Sequence, residues 1–290
     1  MKLNVSLYIP VYNGESTIES VLKSVFKLNP APNEIIIVND GSTDKTLKIL
    51  KNYENQIKIV NNSTNMGLAF SRNKGITNAK NEDVASLDAD VEVDEHWLKD
   101  LFEIKNKFKS AISGGKLTEK YKDKSIYDLW RHVHATQNSF GTQDIGDFNR
   151  PLAGSNTLIS KSAWKIVGGY DNEYKTNGED ATFCQKLLKS NYKISYSSKS
   201  VCYHLRTDTL KTLADASRRG YIYGAGLKKP TTLRFIQRTI RHFKGFLFNS
   251  VSDLKKFRFG LIYVSFMIFL NHVVKEFMGL VKNKADYVWT

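Results

Sequence analysis

Residues 34–46 read EIIIVNDGSTDKT. The continuous apolar run in this stretch is typical of a strand that is covered on both faces, as strands of parallel sheets are. A polar turn around Gly41 follows, and apolar side chains then recur at helical spacing through Leu47, Leu50 and Tyr53. A strand that passes through a short polar loop into a helix is the repeating unit of an α/β fold.

The same unit recurs on either side of this stretch. Residues 3–9 alternate as a strand does and precede a helical pattern, while 57–60 and 84–88 form two further short apolar runs. This order predicts a mostly parallel, Rossmann-like sheet flanked by helices, with ligands beyond the carboxyl ends of its strands. No G-x-G-x-x-G follows the first strand and no P-loop motif occurs, so dinucleotide-binding and P-loop functions lose their main support.

The formal net charge is +14, and its positive excess is concentrated near the end of the chain. Within residues 228–259 a single acid, Asp253, stands against the basic residues Lys228, Lys229, Arg234, Arg238, Arg241, Lys244, Lys255, Lys256 and Arg258. Such a local excess points to anionic lipid or nucleic acid as a partner. No RNA-binding aromatic motif or helix-turn-helix spacing appears, so we expect no nucleic-acid partner.

The cysteines and the N-terminal residues bear on the compartment. Cys184 and Cys202 lie far apart and outside any metal-ligand spacing, which predicts two reduced core thiols and gives no sign of an oxidising compartment. The first apolar run is short, alternates with polar residues and ends at Pro10, unlike a signal peptide. We therefore expect the active part of the chain to face the cytoplasm.

Two carboxylates follow the fourth predicted strand in VASLDADVEV, residues 84–93. In extended backbone Asp88 and Asp90 point to the same side, about 6.6 Å apart, so they can converge on one ligand. Mg²⁺ and Mn²⁺ take one or two protein carboxylates and complete their shell with phosphate oxygens. An ordinary solvated strand end would show the same two aspartates, and the pair alone does not decide between these interpretations.

Three residues in the neighbouring loops also allow two interpretations each. Asp40 could accept a hydrogen bond from a nucleotide base, or it could support its own turn or cap a helix. Tyr12 could stack on a base or simply pack. Arg72 could meet a diphosphate or remain a surface cation.

The motifs IPVYNGE, IIIVNDGSTDKT, NMGLAFSRNKGI and LDADVEV occur in this order at compatible spacings. Together they resemble the nucleotide-sugar-binding half of the family 2 glycosyltransferases, which have the GT-A fold. Residues 152–194 resemble the acceptor half of that family, with a Gly-Glu-Asp motif at 178–180. The resemblance covers roughly residues 3–206.

The resemblance implies a role for each matching position. The nucleotide sugar would meet Pro10, Tyr12, Glu15, Asp40, Arg72, Asp88, Ala89 and Asp90. A Mn²⁺ or Mg²⁺ cofactor would be held by Asp90, Asp88 and His204. The catalytic base would be Asp180, with Glu179 beside it. The acceptor would meet Trp130, Gly154, Ser155 and Asn156.

Structural alternatives stand beside three of these roles. The acids at 179 and 180 could complement the dipole of the helix that follows them. His204 could be a buried structural histidine, and Trp130 could be a packing residue.

The function implied is a metal-dependent inverting transfer of one sugar from a nucleotide-diphosphate sugar. A UDP-sugar is favoured over a GDP-sugar, and the acceptor would be a glycan or a polyisoprenyl-linked glycan. Processive family members carry a Gln-x-x-Arg-Trp motif, whereas here no tryptophan follows the Gly-Glu-Asp motif before Trp289, so we expect one sugar per encounter. The alternatives are a nucleotidyltransferase on a related fold and a non-catalytic membrane or nucleic-acid-binding protein.

The sequence predicts three parts: a nucleotide-sugar-binding half at 1–110, an acceptor and catalytic half at 111–226, and a helical tail at 227–290. Residues 233–248 form an amphipathic pattern typical of a helix in a membrane interface. The clean apolar stretch 261–270 is too short to span a bilayer, which favours a peripheral or re-entrant anchor on the anionic cytoplasmic membrane face. A helix pair that closes the fold or forms a dimer is the alternative, and the oligomeric state stays open.

Overall fold

The computed structural model describes residues 2–135, 140–174, 176–225 and 231–282, with the backbone alone for 219–225. The strands are β1 Lys2–Val11, β2 Ala31–Asn39, β3 Lys58–Asn61, β4 Asp83–Leu87, β5 Val91–Val93, β6 Ile112–Glu119, β7 Asn156–Ser160 and β8 Ile194–His204. The helices are α1 Ile18–Val25, α2 Thr46–Lys51, α3 Leu68–Asn78, α4 Trp97–Phe108, α5 Ile126–His134, α6 Lys161–Ile166, α7 Glu179–Lys189, α8 Leu210–Ala225, α9 Thr232–Leu254 and α10 Phe259–Val281.

The strands form one sheet in the order β3-β2-β1-β4-β7-β6-β8-β5. The four strands predicted from the apolar runs all form, and β1 pairs in parallel with both β2 and β4. The second half of the sheet is mixed, because β7 runs antiparallel to β4 and β6, and β5 runs antiparallel to β8. The α/β class with flanking helices is therefore confirmed, with more antiparallel pairing than the sequence indicated.

Apolar periodicity explains how the first helix packs. Ile18, Val21, Leu22 and Val25 recur every three or four residues, and all four side chains are buried. The central strands are buried along almost their whole length, as in β1, where Val5 to Val11 are all inaccessible. Because β1 lies between β2 and β4 in the sheet and α3 packs against it, even the polar Ser6 within it is buried.

The chain divides into two compact units, and the boundaries differ from the predicted ones. The first unit comprises residues 1–120 and 137–205, and the second comprises 121–136 and 206–290. Residue 110 is not a boundary, because β6, β7 and β8 complete the sheet that the first half begins. The helical unit likewise begins at residue 206 rather than 227, and it also includes the earlier segment 121–136.

The second unit is helical, with α5, α8, α9 and α10 in its described part. Trp130 on α5 is buried in its core beside Leu213 and Val264, and the indole N–H donates to Ser265 Oγ at 2.7 Å. Only 5% of Trp130 is exposed, so little of its ring is open for a sugar to stack on. This corrects the predicted acceptor role of Trp130 in favour of packing.

The two helices predicted for the tail are present and longer than their apolar patterns. Residues 233–248 lie inside the 23-residue helix α9, and the apolar stretch 261–270 lies inside α10, also of 23 residues. The polar residues at 271–276 do not interrupt α10. Among the described residues, α10 is the one helix long and apolar enough to cross a membrane by length and composition, although a core helix can pass the same test.

Candidate active site

The candidate site lies where the strand order reverses. Successive strands β1, β2 and β3 are added to the sheet in one direction, and β4 is then added on the opposite side of β1. The loops after β1, β2 and β4, which carry Tyr12, Asp40 and Asp88, therefore leave neighbouring strands at one edge of the sheet. Such a switch point forms a crevice for ligands in open α/β sheets.

Asp40 is buried and organises the loop before α3. Its Oδ1 accepts hydrogen bonds from Asn62 Nδ2 at 2.7 Å and Met66 N at 2.9 Å, and its Oδ2 accepts one from Gly67 N at 2.9 Å. A carboxylate offers about four acceptor positions, so these three donors leave capacity for one more. Asp40 therefore supports its own loop, as one of the two interpretations of the sequence proposed. A hydrogen bond from a nucleotide base to Asp40 stays a prediction.

Gly41 allows the Asp40 turn to lie against the same loop. Its φ of +69° falls in the left-handed region, and a Cβ there would stand 2.6 Å from the backbone carbon of Thr64. Both the conformation and the lack of space therefore require glycine.

The loop after β1 is tied to the loop after β2. Glu15 Oε2 accepts from Lys45 N at 3.0 Å, and Asp44 Oδ2 accepts from Glu15 N at 3.0 Å. Pro10 is buried within β1, whereas Tyr12 is 47% exposed and so remains available for a ligand. Asp44 has no role in the sequence analysis, because only its tertiary partners distinguish it from an ordinary turn aspartate.

Arg72 is buried behind the crevice, where it holds acidic side chains and a backbone carbonyl in place. Its guanidinium donates to Asp88 Oδ1 at 2.8 Å, to Glu179 Oε1 at 3.1 Å, and to Ser86 Oγ and the Gly154 carbonyl. Only 1% of Arg72 is exposed. The predicted contact with the nucleotide is therefore corrected: Arg72 positions acidic side chains instead.

Gly154 connects Arg72 to the predicted base. Its carbonyl accepts from Arg72 Nη1 at 2.9 Å, and its N–H donates to Asp180 Oδ2 at 3.1 Å. A Cβ at this position would lie 2.9 Å from Arg72 Cζ, so a side chain would displace the guanidinium. Gly154 thus contributes through its backbone.

Ser155 and Asn156, also predicted to meet the acceptor, are both buried. Asn156 Oδ1 accepts from Trp97 Nε1 at 2.6 Å and fixes that indole in the core. These two positions are therefore corrected to structural ones, because almost none of their surface is exposed to a substrate.

Glu179 and Asp180 lie in the first turn of α7. Their negative charges therefore complement the helix dipole, which is the structural role considered for them in the sequence analysis. Their environments differ. Burial raises the pKa of Glu179 to about 7, the charge of Arg72 opposes this increase, and the charge of Asp180 adds to it. Asp180 is only partly buried, so it is the member of the pair that is open to a substrate.

Asp88 and Asp90 differ in how strongly the protein engages them. Burial raises the pKa of Asp88, against the opposing charge of Arg72 and with a further increase from the charge of Asp90. The Asp90 side chain is 41% exposed, compared with 29% for Asp88. Asp90 is therefore the more open carboxylate.

His204 lies between two carboxylates. Its Nε2 is 3.1 Å from Asp90 Oδ2, and its Nδ1 is 3.3 Å from Glu119 Oε1. Burial acts to lower the pKa of His204, but the hydrogen bonds and charges of Asp90 and Glu119 outweigh it and raise the pKa to about 9. Sequence analysis did not identify Glu119, because only the pairing of β6 with β8 places it opposite His204.

The residues present fit a divalent cation that a substrate helps to bind. In the described part of the chain, no three His, Cys, Asp or Glu side chains form a ready metal cluster. Asp90 and His204 are nevertheless adjacent, and Glu119 would orient the imidazole as carboxylates do behind metal-bound histidines. Mg²⁺ and Mn²⁺ sites of this kind take their remaining ligands from substrate phosphates and water.

Comparison with known proteins decides the family. Residues 6–166, more than half of the chain, match the family described as Glycosyl transferase family 2. The chain belongs to glycosyl transferase family 2. This family 2 protein is similar to poly-beta-1,6-N-acetyl-D-glucosamine synthase of Staphylococcus epidermidis, with 30% identity over 213 residues. That alignment covers 71% of the chain and 51% of the relative, so the chain spans about half the length of the curated relatives it matches.

Solved structures share the fold of this family 2 protein. TarS 1–349 of Staphylococcus aureus in complex with UDP-GlcNAc has a TM-score of 0.57 at 21% identity, over 75% of this chain and 65% of that chain. Mannosyltransferase PcManGT of Pyrobaculum calidifontis in complex with GDP-Man and Mn²⁺ has a TM-score of 0.57 at 15% identity, over 76% and 65%. At these identities the likeness concerns the fold alone, and it confirms the predicted GT-A class.

Proposed function

We propose that the chain carries out a metal-dependent inverting transfer of one sugar from a nucleotide-diphosphate sugar to a hydroxyl group of a glycan. The observation that carries the proposal is the buried brace of Arg72, which joins Asp88 on the donor side to Glu179 beside the predicted base. One rigid group thereby links the two sides of the crevice. This arrangement suits a reaction that must hold donor and acceptor in line.

Asp180 is the proposed base. In an inverting transfer the acceptor oxygen attacks the anomeric carbon as the bond to the diphosphate breaks, and its proton passes to a carboxylate within hydrogen-bond reach. The Gly154 N–H holds one Asp180 oxygen at 3.1 Å, which fixes the carboxylate at the start of α7. Glu179 is held by Arg72 and serves to position the turn rather than to touch the substrate.

On the donor side, Asp90 and His204 would hold Mn²⁺ or Mg²⁺, with Asp88 shared between the metal and the ribose. When bound, the cation neutralises negative charge that develops on the leaving diphosphate. Asp88 stays fixed by Arg72, and Glu119 orients His204. Tyr12 is exposed and suited to stack on the base. The Asp40 carboxylate already accepts three hydrogen bonds and would offer its remaining acceptor position to a base N–H.

The donor is proposed to be a UDP-sugar, with a GDP-sugar as the second candidate. The sequence relative named poly-beta-1,6-N-acetyl-D-glucosamine synthase favours N-acetylglucosamine as the sugar. The lack of a tryptophan between the Gly-Glu-Asp motif and Trp289 supports one addition per encounter. The acceptor is proposed to be a glycan or a polyisoprenyl-linked glycan at the cytoplasmic membrane face. Family membership argues against the nucleotidyltransferase and non-catalytic alternatives.

A thermal-shift panel of nucleotide sugars, with and without Mn²⁺, tests the donor. Ligand that binds the folded state raises the melting temperature by mass action. We expect UDP-N-acetylglucosamine with Mn²⁺ to give the largest increase and EDTA to abolish it. An equal increase with ATP or NAD, or none with any nucleotide sugar, would contradict the proposal. Release of free UDP, measured with and without candidate glycan acceptors, then separates transfer from binding alone.

A further inference from the structure

We propose that one face of the α9–α10 hairpin is a docking surface for an anionic lipid bilayer, on which the hairpin lies in the interface. This inference deepens the peripheral membrane location in the proposed function. It rests on two exposed apolar stripes, one on each helix of the hairpin, and on the positive charge that lies beside them.

The outward residues of α9 form a continuous apolar stripe. Ile236, Ile240, Phe243, Leu247 and Val251 recur at helical spacing, and each is between 43% and 52% exposed. The stripe runs along a helix of 23 residues, which is about 34 Å long. A soluble helix ordinarily turns such a stripe toward its core.

The outward residues of α10 repeat the pattern. Tyr263, Phe266, Leu270, Val274 and Phe277 are all exposed and recur at the same spacing. Ring contacts connect each stripe to the other helix: Phe243 of the α9 stripe lies 5.7 Å from Phe269 of α10, and Phe277 of the α10 stripe lies 6.1 Å from Phe235 of α9, between ring centroids. The stripes of α9 and α10 together form the apolar face.

The inward side of the hairpin is already packed, because Leu261, Val264 and Ile268 of α10 are buried in the core of this unit together with several polar groups. His242 and His272 are buried, with their Nδ1 atoms 3.0 Å apart. Glu276 is buried and pairs with Arg238 at 3.0 Å. Asp253 is fully buried and lies 2.8 Å from His134 Nε2. The exposed apolar stripes of the two helices lie outside this packed interior, and exposed apolar surface of this extent marks an interaction site.

The charge of the hairpin selects that partner. Its two acids within the described residues 231–282, Asp253 and Glu276, are buried and paired, so the exposed charge is positive. The exposed cations include Arg241, Lys244, Lys255, Lys256 and Lys282. A second copy of this surface would bring like charges together, whereas an anionic leaflet attracts them at about 1 kcal/mol per residue near the surface.

Ion pairs argue for lying on the bilayer rather than crossing it. Lys275 of α10 pairs with Asp215 of α8 at 2.6 Å, and Glu276 pairs with Arg238 of α9. Crossing by α10 would break these pairs or draw the basic helix α9 into the hydrocarbon. A helix with a strongly polar side and an apolar side instead binds in the interface plane.

Vesicle sedimentation of the full chain, without any sugar donor, tests the surface. We expect binding to phosphatidylcholine vesicles that contain 30% phosphatidylglycerol, on the order of tenfold stronger than to pure phosphatidylcholine, and weaker in high salt. The triple variant Ile240→Gln, Leu247→Gln and Val251→Gln should bind at least tenfold more weakly. Its matched control is Ile166→Gln, an exposed apolar residue of the other unit, which should bind like the wild type.

Two further measurements separate the outcomes. Tyr263→Trp should become quenched by dibrominated lipid, which places the apolar face within the acyl boundary. A wild-type protein that stays in the supernatant with anionic vesicles overturns the proposal. So does a dimer in light scattering that the triple variant dissociates. Transfer to a water-soluble acceptor is measured separately, so failure to bind vesicles leaves the proposed reaction untouched.

Discussion

Arg72 and Glu179 form an ion pair that is buried on both sides, with Nε and Oε1 3.1 Å apart. They are 107 positions apart in the chain, and each comes from a different part of the sheet's flanking structure. The same guanidinium contacts Asp88, so one side chain holds an acid from each side of the crevice. This relationship makes Arg72 a positioning residue for the proposed reaction.

Removal of Arg72 should destabilise the protein more than removal of its partner's charge. Arg72→Met leaves Asp88 and Glu179 without their buried cation, and breaking such a pair costs about 3–5 kcal/mol. The double variant Arg72→Met, Glu179→Gln should be less destabilised than the sum of the single variants. Urea denaturation of all four proteins measures this coupling. Strict additivity would mean that the pair contributes no interaction.

Arg72→Lys separates positioning from folding. Lysine keeps the charge but cannot bridge three groups with a planar fork, so we expect kcat to fall more than the KM for the donor. Steady-state kinetics at saturating Mn²⁺ measures this split. A higher donor KM with an unchanged kcat would instead indicate that Arg72 binds the nucleotide directly.

Asp180→Asn should nearly abolish transfer while the nucleotide sugar still binds. A general base typically contributes 10²- to 10⁴-fold, and asparagine keeps the side-chain volume without accepting a proton. Turnover and donor binding by calorimetry check this together. Asp123→Asn, an exposed aspartate outside the site, is the control and should retain full activity. Retained turnover in Asp180→Asn would assign the base elsewhere.

Stability should depend on pH through Glu179. Its pKa is about 7 in the folded protein and about 4.5 when exposed, so the folded state favours the protonated form. Its contribution is therefore fully present below pH 4.5 and is lost as the pH rises through 7. Between pH 5 and 8 the wild type should lose at most roughly 3 kcal/mol relative to Glu179→Gln. Parallel unfolding curves at the two pH values would contradict the assignment.

Mn²⁺ affinity should depend more on Asp90 than on Asp88. Asp90 is more exposed and lies beside His204, whereas Asp88 is already engaged by Arg72. Glu119→Gln, which removes the carboxylate behind His204, should weaken binding by about 10- to 100-fold. Electron paramagnetic resonance of Mn²⁺ in the presence of UDP measures each affinity without catalysis. Equal affinities in Asp90→Asn and wild type would remove Asp90 from the site.

Trp130→Phe should lower stability without changing the KM of the acceptor. The variant loses the hydrogen bond to Ser265 and part of a packed ring, at a cost of about 1–3 kcal/mol. Ser265→Ala offers the matched test from the other partner. A large increase in acceptor KM without loss of stability would restore Trp130 as an acceptor residue.

Much of the candidate site could be predicted from the sequence because the signals for it are local. Asp40, Asp88 and Asp90 each follow an apolar strand, and the parallel order of those strands places their loops at one edge. The same local signals misjudged Arg72, Ser155 and Asn156. Each is polar and lies in a matching motif, yet its burial depends on partners that are distant in the chain.

The sequence by itself determined the α/β class, the four leading strands, the family resemblance and the two helices of the tail. Apolar periodicity and loop composition suffice for these, because each is a pattern of residues that are close together in the sequence and can be recognised without knowing long-range contacts. Only the tertiary structure decided that Glu119 lies behind His204, that Arg72 contacts both Asp88 and Glu179, and that each helix of the tail leaves an apolar stripe exposed. Amphipathic spacing predicts that a helix has an apolar face and a polar face, but only its packing against other helices decides which residues are buried in the core.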